Sequence, residues 1–442
     1  MPSTERVCAD KVGNVENFLR DALEGMDLDG RVKGPGRPRI PPALVLWGAM
    51  LVCVLRGFTS QMAVRRRIAE LGLWHFPKYE VTDQAVYNRL QKAGTKPLEQ
   101  LFHNINSLLE ERTCGMAHED LAPFAAEVVA LDESTLDRVA RTLPLLRKVP
   151  SGDRRLLPGK MAGAYDVRRQ RWINVIFQPN PCQNEKVLAG ELLCGLRPQS
   201  LIVADQGYFS FPWFDHLTDN GYYWVSRLRA KTSYKVHHAY YQSGETFDGI
   251  VWLGSHRADR AKHAVRMVTF RHGKTRFRYI TNVLNPRKFT IKEISRLYAR
   301  RWDVELAIKL AKQHLKLKLL WSAKSVVIQQ QMWATLIISQ ILQALRLEIA
   351  SKAGVDPFEV SIPLLVEYLP QLAAEGIDPV NFFVERGPSA GFIRPSRRTH
   401  ICAPSIPLDL TVPLPPHISL VRSPRYARRR CPPLPSFAPQ VN

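Results

Sequence analysis

Acids, cysteines and long apolar runs are all scarce in this sequence. Against 62 Lys plus Arg stand 40 Asp plus Glu in 442 residues, so 62 − 40 leaves a formal charge of +22. Such a surplus points to a polyanionic partner, nucleic acid or an anionic membrane surface, without choosing between them. The seven cysteines (Cys8, Cys53, Cys114, Cys182, Cys194, Cys402 and Cys431) are odd in number, scattered, and include no C-x-x-C pair. That argues against a disulfide framework or a zinc site and for a reducing compartment. The histidines have no ligand-set spacing either. The most apolar run, Ala43 to Leu55, has 13 residues, short of the roughly 20 that cross a bilayer, and the N-terminus lacks the order of a signal peptide. A cytoplasmic protein with no membrane role is expected. The length suggests roughly two to four domains.

What is present begins as helix. Residues 41 to 112 read as the apolar run to Leu55, then "TSQMAVRRRIAEL" capped by Thr59 or Ser60, then "TDQAVYNRLQKA" capped by Thr82 and stopped by Gly94. Arg65, Arg66, Arg67, Arg89 and Lys92 suit a DNA-reading unit, although the link between the second and third helices is too long for a standard helix-turn-helix. A helical scaffold with a solvated basic face is the alternative. Ahead of it, "KGPGRPRI" sets Arg37 and Arg39 around Pro38 and reads as a basic linker or, less simply, a minor-groove arm.

From about residue 124 short strands take over. "AEVVALDEST" and "QSLIVADQGYFS" each run apolar and end abruptly in an acid, Asp132 and Asp205. Open α/β sheets place their ligand sites at such carboxyl ends, although one such aspartate taken singly more often starts a turn or caps a helix. Ala164 to Gln178 reads as a hairpin and "GYYWVSRLR" as a further strand. Lys231 to about Leu284 alternates as a β-rich insertion or a continuation of the sheet, turning at His272-Gly273-Lys274, and helix returns at Thr290.

On a helix from 297 to 317, at about 100° per residue, Arg301, Glu305, Lys309, Lys312 and Lys316 share one narrow sector between two apolar flanks. Alone, this is a solvated face with a Glu305–Lys309 pair. Counted with the two strand-end aspartates, Glu305 completes a set of oxygen ligands from separate elements, as two-metal phosphoryl transfer needs to hold two Mg²⁺ about 4 Å apart. The neighbouring cations would then hold the phosphates.

The spacing Tyr298, two residues, Arg301, three residues, Glu305, six residues, Lys312 resembles the Y-R-E-K signature of bacterial insertion-sequence transposases of the DDE type. "LDEST" and "DQGYFS" resemble that family's first and second acidic motifs, in the right order, and the likeness covers roughly residues 125 to 330. It implies a ribonuclease-H-like mixed sheet, α/β in class, with a β-rich insertion at about 230–285, preceded by an all-helical DNA-end-binding domain over 1–120. It implies Mg²⁺ or Mn²⁺ held by Asp132, Asp205 and Glu305, with Tyr298, Arg301 and Lys312 on the phosphates of the DNA end. Cutting at terminal inverted repeats and joining to target DNA by a homodimer, beside a bacterial nucleoid, complete the implied picture. Trp252 is a candidate platform for a flipped base, or a core tryptophan, and Arg227 and Arg229 line the groove or end a solvated strand.

Catalysis would occupy 121–330 and a helical region 331–402, whose Gln329 to Ala350 helix reads as core. The last 40 residues hold ten prolines and read as disordered. Their five Arg less Asp409 give +4, and 22 − 4 = +18 stays on the rest, so the basic character is no tail effect. A metal-dependent nuclease that does not join ends, and a silent transposase-derived DNA binder, are the rival functions.

Overall fold

The computed structural model of the chain describes residues 15–28, 41–116, 120–136, 158–254, 259–396 and 401–426. The linker arginines Arg37 and Arg39 lie outside the described residues.

Five helices come first: α1 (Val15–Glu24), α2 (Ala43–Leu55), α3 (Gln61–Arg66), α4 (Asp83–Ala93) and α5 (Lys96–Arg112). The apolar run forms α2, buried on nearly every side, as a helix without a polar face must be. Thr82 caps α4 by accepting the Ala85 amide at 3.2 Å, and Gly94, at φ 71°, stops it. Arg65 pairs with Glu70 at 2.9 Å and lies 3.6 Å from Asp83. Arg66 and Lys92 stay exposed.

Nine strands follow: β1 (Val128–Leu136), β2 (Gly159–Asp166), β3 (Arg171–Gln178), β4 (Leu201–Ala204), β5 (Tyr223–Arg227), β6 (Tyr234–Ser243), β7 (Thr246–Leu253), β8 (Val265–His272) and β9 (Thr275–Thr281). They form one mixed sheet in the order β3-β2-β1-β4-β5-β9-β8-β7-β6. β1, β4 and β5 are parallel; the other neighbours are antiparallel. The strands after β5 continue the sheet, because β9 folds back to pair with β5. Helices α6 (Glu185–Leu192) and α7 (Phe211–Asp219) make the crossovers to β4 and β5.

α8 (Ile291–Ala299), α9 (Trp302–Lys309), α10 (Ser325–Ala353), α11 (Ile362–Glu375) and α12 (Pro379–Ala390) close the fold. α10 is the spine, packed against α2, α5, α12 and β3. Its polar residues are turned to backbone: Gln330 donates to the Leu90 and Gly94 carbonyls, both at 2.7 Å, and Gln340 accepts the Trp172 amide at 3.1 Å. Each bond satisfies a buried polar group and ties the leading helices to the sheet. No helix among the described residues is long and apolar enough to cross a membrane.

Of the Pro-rich tail, residues 403–426 are described and lie against the sheet, while 427–442 lie outside the described residues. β6 is an edge strand with unpaired backbone groups, and the tail covers it. The Val412 amide donates to the Tyr240 carbonyl at 2.8 Å and the Ala264 amide to the Leu420 carbonyl at 2.9 Å. Proline forbids a regular ladder, but isolated bridges such as Arg260↔Arg425 do not need one.

Candidate active site

Two neighbouring parallel strands deliver two of the acids, although β1 does not stop at Asp132 as expected but runs on to Leu136 paired with β2. β1 and β4 pair through Val128↔Leu201, Val129↔Ile202 and Ala130↔Val203, so Asp132 emerges two residues past the shared register and Asp205 directly past β4. The β4–β5 register, Ala204↔Ser226, sets Arg227 level with Asp205.

The third acid comes from a helix held down by its own start. Thr290 and Glu293 form a capping box that begins α8. At its end Tyr298, 7 % exposed, packs its ring 4.9 Å from that of Tyr279, with its hydroxyl 3.5 Å from the Ala204 carbonyl. The chain then tightens: the Arg300 amide bonds Leu297 and the Arg301 amide bonds Tyr298, before α9 restarts at Trp302. α9 packs on β1. Asp303 turns inward to Arg300 at 2.7 Å and Gln170 at 2.9 Å, which leaves Glu305 for the sheet edge.

Arg301 stands among the three carboxylates. Its Nη2 lies 2.5 Å from Glu305 Oε1 and its Nε 3.9 Å from Asp205 Oδ1. Burial works against its charge, but Asp205 and Glu305 outweigh that and raise its pKa. Burial pushes Asp132 up to about 6; the Glu133 amide and Arg301 oppose the rise, and Glu305 and Asp205 add to it. Burial also lifts the Tyr298 hydroxyl, which stays protonated.

Several expectations change. The acid pairs with Arg301 and not with Lys309, which is exposed. The basic stripe is broken by a π turn, Leu310–His314, whose Leu315 amide bonds Leu310. This turn sends Lys312 to β1, where Nζ bonds Ser134 Oγ at 3.0 Å and the Thr135 carbonyl at 2.7 Å. Lys316, at φ 60°, leaves the helix face and bonds the Gly57 carbonyl at 2.8 Å. Trp252, on β7, is 8 % exposed, with the Arg422 guanidinium 4.5 Å from its ring centroid. Five strand spacings separate β7 from β1, roughly 24 Å at about 4.8 Å each.

Sequence reasoning missed one close neighbour. Glu133, next to Asp132, forms a buried ion pair with Lys160 of β2, which also reaches the Gln183 carbonyl. The available signal was a lysine inside the apolar strand "GKMAGAYD".

Three carboxylates from separate elements are the donors a hard divalent cation takes. Among the described residues, however, no group of three or more His, Cys, Asp and Glu is spaced to close on a metal. The oxygen donors fit such a cation in kind, and Arg301 pairs with two of them.

Residues 125–341 match the family described as "Transposase DDE domain". Over that span the chain is similar to the insertion-sequence transposases of the DDE type. Such domains depend on a divalent metal. The chain is 29 % identical to the transposase for insertion sequence element IS231F of Bacillus thuringiensis subsp. israelensis over 140 residues, 31 % of this chain and 28 % of that protein. With the putative transposase y4zB of Sinorhizobium fredii it shares 26 % over 212 residues, 46 % of this chain and 55 % of that one. The chain thus spans between about a quarter and just over half the length of these curated relatives. A piggyBac transposase synaptic complex with hairpin DNA aligns with a TM-score of 0.39 at 10 % identity, over 88 % of this chain and 84 % of that one, too low a likeness to build on.

Proposed function

We propose that the chain is a transposase that cuts DNA at the terminal inverted repeats of an insertion sequence and joins the freed ends to target DNA by two-metal phosphoryl transfer. One observation supports the reading: Asp205 and Glu305 both pair with Arg301, and all three groups act electrostatically on Asp132. Asp132, Asp205 and Glu305 would hold Mg²⁺ or Mn²⁺. When bound, the metal would activate a water or a 3′-hydroxyl and stabilise the leaving oxygen.

The chain's own cations divide the remaining work. Arg301, once its carboxylates turn to metal, has a planar guanidinium free to grip a phosphate of the DNA end. Lys312 keeps the end of β1 in place, and Arg227 adds charge level with Asp205. Tyr298 holds the turn that carries Arg301. The strand order β3-β2-β1-β4-β5 with β2 antiparallel supports reading residues 121–330 as ribonuclease-H-like. Exposed Arg66 and Lys92 support a DNA-end role for the leading helices, and the proposed assembly is a homodimer on paired ends.

The test is strand transfer. Pre-cut fragments carrying the element's ends are incubated with protein, Mg²⁺ and a target plasmid, and the products sized. Joined products support the reading; fragments degraded without joining would make the chain a nuclease instead.

A further inference from the structure

A cavity of about 370 Å³ lies beside α9, lined there by Asp303, Leu306 and Lys309 and by Leu310 just beyond, but not by Glu305. Its other walls come from the end of α10, the loop leading into α11, and Arg394. That volume falls in the range of small-molecule sites, roughly 300–1,000 Å³.

Its polar lining is unbalanced. Arg346, on α10, is 5 % exposed; Nε donates to the Pro357 carbonyl at 2.5 Å and Nη1 to the Gln343 side chain at 3.2 Å. Nη2 is buried with no hydrogen-bond partner, and no carboxylate among the described residues pairs with this guanidinium. A second buried arginine, Arg300, stands across the Phe358 ring. The two guanidinium carbons lie 4.0 Å and 5.1 Å from the ring centroid, Arg346 the nearer. Arg394 on the rim has Nη2 3.5 Å from Ser361 Oγ, and exposed Lys309 completes the cations. The lining charges, Lys309, Arg346 and Arg394 against Asp303 and Glu359, leave 3 − 2 = +1, and just outside the lining Arg300 and Asp356 offset one another. Burial, with Arg300 adding to it, drives the Arg346 pKa down to about 10. A buried charge with an unused donor is costly unless something anionic completes it.

We propose that this cavity binds the phosphate of a nucleotide, anchored by Arg346 Nη2 and the Arg394 guanidinium, with Phe358, Ile362 and Pro363 against the ligand's apolar part. The volume favours a nucleotide over a bare phosphate, which would leave most of it empty. The ligand is either a free nucleotide or one nucleotide of a DNA strand, since both present the same phosphate. None of Asp132, Asp205 and Glu305 lines the cavity, so the site stands apart from the catalytic reading.

Equilibrium dialysis of the full chain with labelled dAMP tests it. The wild type and Glu305→Gln bind alike, Arg394→Ala binds at least ~10-fold more weakly, and Arg346→Met loses binding, as the loss of charge-assisted bonds predicts. If Arg346→Met does not fold, the exposed Arg394→Ala carries the comparison. Displacement of dAMP by an equimolar single-stranded oligonucleotide assigns the site to DNA, and retention assigns it to a free nucleotide. No dAMP binding at millimolar concentration, or binding that Arg394→Ala leaves unchanged, overturns the proposal.

Discussion

Asp132 carries the sharpest conflict at the sheet edge. Its folded pKa of about 6 lies above the roughly 3.9 of an unfolded aspartate, so the folded state holds its proton more tightly. Below about pH 4 both states are protonated and Asp132 costs nothing. As pH rises from about 4 to 6 the unfolded state ionises first and stability falls, and above 6 the cost is constant. Two units correspond to at most ~3 kcal/mol, and less here because the group is partly exposed. Asp132→Asn should therefore melt a few degrees above the wild type at pH 7.5 in metal-free buffer, with no gain at pH 4, as calorimetry would show. The apolar runs before Asp132 and Asp205 are legible as strands from local pattern alone, whereas the continuation of β1 to Leu136 depends on its pairing with β2, which no local window contains. The setting of Trp252 is not legible either, because its cover, Arg422, lies far away along the chain.

The same contrast holds for the elements. Strand periodicity, the capping Thr290 and the His272-Gly273-Lys274 turn are local signals, and the strands, α8 and the hairpin follow them. The wheel that grouped Glu305 with Lys316 assumed one unbroken helix. The tight turn at Arg300 and the π turn at Leu310–His314 rotate the chain, and both answer to packing against the sheet and Gly57, which no local window contains. Packing also explains Gly163, the β2 partner of Asp132. An added Cβ there would meet the Trp172 ring at 2.4 Å. Gly163→Ala should cost ~1–3 kcal/mol in urea unfolding, as overpacking does, and should lower cleavage by shifting the strand that supports Asp132.

Across the whole molecule, charge and cover matter most. With a +22 surplus, the proposed DNA binding should weaken steeply as salt rises. The tail spans the open edge of the sheet and fastens there through Arg422, which donates to the Ala261 carbonyl at 2.9 Å and the Leu253 carbonyl at 2.5 Å, and through the Tyr426 hydroxyl on Asp215 at 2.8 Å. Arg422→Ala should cost ~1–3 kcal/mol by calorimetry, from the lost carbonyl bonds and the ring contact, and should expose Trp252 to quenching by acrylamide. A composition rich in proline and arginine signals disorder because it cannot build a core; it carries no information about docking on a core built by others.

On the proposed mechanism Glu305 serves a metal site and not a solvated helix face. Cleavage of a supercoiled plasmid carrying the element's ends, with Mg²⁺, should be lost in Glu305→Gln while binding of the same ends, measured by gel shift, is retained. Cleavage by Glu305→Gln at the wild-type rate would contradict the account.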